Sequence, residues 1–148
     1  MEEERFLRSS LEENAARIFA RTRLESDIAL LQAAITRQKE AAASQDYVAF
    51  IKSDDEFHRV VFASIGKLWC WDTIMGLCGN HHRIRLLSFR IPHVLDGIID
   101  QHQDMVEVFI SQDEDAAGGM EKAHLSKLKN ETAQLLDMYP TYFKKGRR

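Results

Sequence analysis

Glycine and proline are scarce in this chain, seven and two among 148 residues, and no run of alternating apolar and polar residues stands between turn signals. That scarcity argues against a sheet-rich fold closed by tight hairpins and leaves helices as the default throughout. Long hydrophobic runs are missing as well. No window approaches the roughly 18 continuous apolar residues of a membrane-crossing helix. The N-terminus, MEEERFLRSS, is acidic where an export signal is basic and then apolar, so the expectation is a cytoplasmic protein with no membrane partner. Cysteine is limited to Cys70 and Cys78, whose spacing matches neither a zinc knuckle nor a CxxC redox pair and reads as two small apolar side chains. A large excess of either charge is also absent: the formal net charge is −3. The only basic cluster, KKGRR at 144–148, lacks interleaved aromatics and reads as a solvated tail, not a nucleic-acid site.

What remains is a chain patterned for helices and long enough to bury a core without disulfides, read as one domain over 1–148. The expected architecture is an all-α, antiparallel bundle of about six helices. A first helical region over about 10–42 opens at SSLEE, where Ser10 and Glu13 have capping-box spacing, and carries Ile18, Leu24, Ile28, Leu31 and Ile35 at helical intervals. Ser44 or Asp46 caps the next helix, which ends at Gly66. A third runs from about Leu68 to Phe89 and stops at Pro92. A fourth stripe carries Ile98, His102, Met105 or Val106, and Phe109. After a turn at SQDED, capped by Ser111 or Asp113, a long last helix places Met120, His124, Leu128 and Leu135 on its core face.

Polar residues interrupt these apolar faces at four places. Asp54 and His58 are four apart on one helix, so both side chains reach the same small volume. A buried carboxylate without a partner costs several kcal/mol, on the order of any unpaired buried charge. Asp54 must therefore face water, pair with a base, or bind a cation. His102 and His124 lie on consecutive helices at comparable depth from the intervening turn, where an antiparallel hairpin lets them face each other. One anionic oxygen and three imidazole nitrogens suit zinc, nickel, manganese or iron and suit calcium or magnesium poorly. Asp54, His58, His102 and His124 are thus the candidate metal ligands. In NHHRIRLL, at most one of His81 and His82 can face a pocket. The stripe Cys78, His82, Arg85, Phe89 favours His82, with Arg85 offering a planar fork to a carboxylate. His93, beside Pro92, reads as surface.

The segments DDEFH at 54–58, of the form DxxFH, and QHQDMVEVFISQDEDAAGGMEKAHL at 101–125 resemble the FCD effector domain of FadR-like GntR transcription regulators. RTRLE at 21–25 is similar to the RxxLE that opens that domain, and the resemblance covers about 15–140. It departs at SIGKL, where Lys67 stands in place of a common asparagine. The resemblance implies that the same four residues hold a divalent transition metal, that the bundle forms a homodimer, and that a small organic acid binds by its carboxylate at the metal. Arg21 and Arg85 would assist that ligand. DNA would be contacted only through a winged-helix domain that this chain lacks, whether it is a fragment or a stand-alone sensor. Two other readings differ in class: a metal-dependent hydrolase or oxygenase, which needs a general base that is not itself a ligand, and a dimerisation domain whose metal is purely structural.

Overall fold

A computed structural model describes residues 2–143; within it, nothing is said of the side chains at 128–130, 132, 142 and 143. The described chain forms seven α-helices and no strands: α1 Glu2–Thr22, α2 Glu25–Ala43, α3 Tyr47–Ser64, α4 Leu68–Leu77, α5 Gly79–Ser88, α6 Val94–Ser111 and α7 Glu114–Met138, followed by a 3₁₀ turn Pro140–Phe143. The bundle is all-α, as expected, with one helix more than the pattern suggested. α1 packs along α7, α2 lies between α3 and α6, and α5 reaches across to α7.

Two expected helices are each divided. The region over 10–42 begins at Glu2 and breaks at Arg23 and Leu24, so Ser10 is interior to α1, its carbonyl accepting from the Asn14 amide at 2.7 Å, and caps nothing. The break carries neither glycine nor proline. Leu24, which the periodicity assigns to the core, is 63% exposed, and its backbone N–H donates to the Asp27 carboxylate that opens α2. The region over 68–89 divides at Cys78. There Glu4 of α1 supplies the missing cap: its carboxylate accepts the His81 backbone N–H at 3.2 Å and the Asn80 amide at 2.9 Å. An acidic side chain at a helix start satisfies free amides and favours the positive end of the dipole. The contact sets α5 at the end of α1 and so aims His81 and Arg85 inward.

Other boundaries fall where the pattern puts them. Asp46 caps α3 by accepting from Ala49 N–H at 3.0 Å, Asp113 caps α7 by accepting from Ala116 N–H at 3.1 Å, and Gly66 takes φ +73° just beyond α3. The core is aromatic-rich. Phe19 meets Phe109 edge-on at 4.7 Å, Phe50 meets Phe89 at 5.0 Å, and Phe62 leans on Trp71 at 5.7 Å, arrangements that add to the apolar area each ring buries. Cys78 is buried and Cys70 half-buried, both as free thiols. No described helix is long and apolar enough to cross a membrane. The side chain of Leu128 and the tail at 144–148 lie outside the described residues.

Candidate metal centre

α3, α6 and α7 bring Asp54, His58, His102 and His124 together, with one donor atom from each lying within 4.8 Å of the others. Asp54 and His58 share a face of α3, and the short turn between α6 and α7 brings His102 opposite His124. His102 is fully buried, its ring stacked flat on Phe57 at 4.0 Å. Three separations among the donors are 3.2 Å (His102 Nε2 to His124 Nε2), 3.4 Å (His102 Nε2 to Asp54 Oδ1) and 3.6 Å (His58 Nε2 to Asp54 Oδ1). Bonds of about 2.1 Å to a tetrahedral ion require donors about 3.4 Å apart.

The surroundings of each donor give a stricter test of fit. Each imidazole is anchored by its other nitrogen. His102 Nδ1 faces Gln38 Oε1 at 3.0 Å, His124 Nδ1 faces Gln101 Oε1, and His58 Nδ1 faces Glu12 Oε1 at 2.6 Å. Donating Nδ1–H outward leaves Nε2 with its lone pair turned inward on all three rings, the arrangement that outer partners impose on metal-binding histidines. Two such lone pairs 3.2 Å apart repel unless a cation lies between them. Asp54 divides its oxygens the same way: Oδ2 is held by Arg85, while Oδ1 is buried with no hydrogen-bond partner. The donor set therefore fits a divalent transition metal.

Electrostatics reinforce this. Burial, followed by the charges of His124 and His58, pushes His102 well below its ordinary value, and burial with the His58 charge brings His124 down to about 3, so both rings are neutral. Burial alone would raise Asp54, yet Arg85 and the neighbouring histidines outweigh it and hold the carboxyl well below its usual range. His58 behaves oppositely. Burial would lower it, but Glu12, Glu121 and Asp54 lift it to about 10, so without metal it carries a proton that a metal must displace.

A cavity of about 50 Å³ opens beside this set, lined among others by Arg8, His81, Arg85, Gln101 and Lys127. Arg85 is buried and forks onto Asp54 and Asp55, the latter at 2.9 Å. The other residues expected near a ligand lie elsewhere: Arg21 pairs with Glu114 at 3.1 Å and is 57% exposed, and half-buried His82 does not line the cavity, whereas its neighbour His81 does. His93 is exposed.

Several residues at the centre were not anticipated. Arg8 and Glu12 form a buried ion pair on α1, with Arg8 also over the Trp71 ring at 5.6 Å, and Glu121 Oε1 lies 3.4 Å from His58 Nδ1. A signal was available. The spelling RxxLE occurs twice, at 8–12 and at 21–25, and the first occurrence is the one that reaches the centre. Glu121 precedes His124 by three residues, which puts both on one face of α7.

An all-helical bundle enclosing one carboxylate and three oriented imidazoles defines a class of sensory or structural metal domains. The model of the FCD domain matches residues 5–127, and the chain belongs to that family. The match begins ten residues before the expected start, taking in Arg8 and Glu12. Among curated relatives, the chain is 26% identical over 130 residues to the HTH-type transcriptional repressor RspR of Escherichia coli (strain K12) and to the same extent to the uncharacterized HTH-type transcriptional regulator YdfH of Shigella flexneri. These alignments cover 88% of this chain and 57% of each relative, so the chain spans about half the length of the regulators it matches.

Proposed function

We propose that this FCD domain is the effector-sensing part of a transcription regulator and acts without catalysing a reaction, holding a divalent transition metal through Asp54, His58, His102 and His124. The observation that carries the reading is the common orientation of the three imidazoles, Nδ1 anchored outward and Nε2 inward, around the unpartnered Asp54 Oδ1. Zinc, nickel and manganese are the candidate ions. A small organic acid places its carboxylate at the metal, within the field of Arg85. By binding one packing of a homodimer better than another, it shifts the pair between states, since a ligand moves an equilibrium only through unequal affinity. DNA is contacted by a separate winged-helix reader and not by this bundle.

A structural role for the metal is the second reading, favoured by the small enclosed cavity beside it. Metal content by mass spectrometry on untagged protein, with His102→Ala alongside, tests the site. About one ion per chain in the parent and little in the variant supports it; no ion in either after incubation with zinc, nickel and manganese refutes it. Calorimetric titration of the loaded protein with short carboxylates then separates sensing from structure, because a purely structural metal leaves every acid unbound.

A further inference from the structure

His81 stands on the cavity wall at 3% exposure, and its Nδ1 is buried with no hydrogen-bond partner among the described residues. Such an atom forfeits the bond it had in water, a loss that a fold tolerates where something else supplies the partner. The charged groups around the cavity are differently placed. Arg8 is committed to Glu12, Arg85 to Asp54 and Asp55, and Lys127 at the rim is exposed beside Glu131. A second carboxylate on a ligand would find both buried guanidiniums already paired. Burial, with Arg8 and Arg85 nearby, also pushes His81 down to about 2, so it meets a ligand as a neutral ring.

We infer that His81 reads an uncharged hydrogen-bonding group carried next to the ligand's carboxylate, so that the site takes a short monocarboxylate bearing a hydroxyl or carbonyl in preference to a plain acid or a diacid. The inference rests on the proposed binding of an acid at the metal. The volume agrees: about 50 Å³ is room on the order of a few waters, enough for a short acid and too little for a long chain. A hydroxyl that also touches the metal would favour the same acids, so the decisive readout is the dependence of the preference on His81.

The test is calorimetric titration of the zinc-loaded domain with acetate, glycolate and malonate, in the parent, His81→Leu and His81→Asn, with zinc content measured in each. In the parent, glycolate should bind about tenfold tighter than acetate, the worth of one buried hydrogen bond, and malonate should bind no better than acetate. His81→Leu should bring glycolate within about twofold of acetate at unchanged zinc content, and His81→Asn, which keeps a polar group, should retain part of the preference. An unchanged ratio in His81→Leu, loss of zinc in both variants, or malonate binding tighter than glycolate overturns the inference and leaves the effector reading standing. If none of the three acids binds the zinc-loaded parent, the effector reading itself fails and the role of His81 with it.

Discussion

Gln38 offers the sharpest test of how the centre is built, because it touches no proposed metal ion and is expected to control binding all the same. Its side chain is fully buried on α2, its Oε1 accepts from His102 Nδ1 at 3.0 Å, and its Nε2 donates to the Ser53 carbonyl at 3.4 Å. Gln38→Leu keeps the bulk and removes both bonds. His102 then loses the partner that fixes its proton on Nδ1, and a proton on Nε2 competes with the metal for the same lone pair. Loss of such an outer partner weakens metal binding by about 10–100-fold. At a metal concentration of 100 times Kd, binding contributes about 2.7 kcal/mol to the parent, and about 1.4 or 0.4 kcal/mol after a tenfold or hundredfold loss. With Tm moving about 2–4 °C per kcal/mol in a domain of this size, the metal-induced rise falls from about 5–11 °C to about 3–6 or 1–2 °C. Scanning fluorimetry with and without zinc measures that increment independently of any change in the metal-free protein. Gln38→Glu keeps an acceptor at Nδ1 and should recover most of the increment. Equal increments in Gln38→Leu and the parent would falsify the claim that outward anchoring orients the rings.

Three further outcomes follow from the same geometry. His102→Ala and His124→Ala should each lose most of the bound metal and the Tm increment, and His93→Ala, exposed in the turn before α6, should lose neither; the reverse pattern would misplace the site. Arg8→Ala should destabilise the fold by about 3–5 kcal/mol by leaving Glu12 charged and buried. A double Arg8→Ala, Glu12→Ala variant should cost less than the two single variants summed, by urea denaturation; simple additivity would deny the pair. Because the carboxylates around His58 hold it near 10 without metal, metal uptake at pH 7.5 should release about one proton and tighten about tenfold per pH unit above the ordinary histidine value near 6.5. Calorimetry in two buffers of different ionisation heat reads that proton, and a buffer-independent heat refutes it. The same raised value means that the metal-free fold holds His58's contribution in full below about pH 6.5 and loses it as pH rises through about 10.

The four residues that meet at the centre were legible as polar interruptions of apolar faces, since helical spacing alone puts Asp54 beside His58 and the turn at 112–113 sets His102 against His124. The partners that orient them were not. Gln38 and Gln101 are ordinary polar residues whose burial depends on which helices become neighbours, and no local period carries that. The choice of His81 over His82 was hidden for a related reason. A single stripe drawn through Cys78 assumed one continuous helix, whereas the break there, capped from the distant Glu4, rotates α5 about its own start. At Arg23 and Leu24 the chain turns without glycine or proline, so periodicity ran through a corner that only packing of α2 between α3 and α6 creates.

The order in which the ligands occur along the chain has a consequence for synthesis. Glu12, on α1, is available to hold His58 from the moment α3 leaves the ribosome, but His102 and His124 follow much later on α6 and α7. At about 5–20 residues per second, the stretch from His58 to His124 takes on the order of 3–13 s. Throughout that interval the nascent protein presents half of the proposed ligand set and cannot close around an ion. Capture of the metal then coincides with arrival of the last helix, so a bound ion would mark a finished chain, and a product truncated before α7 would be left without one for degradation to find.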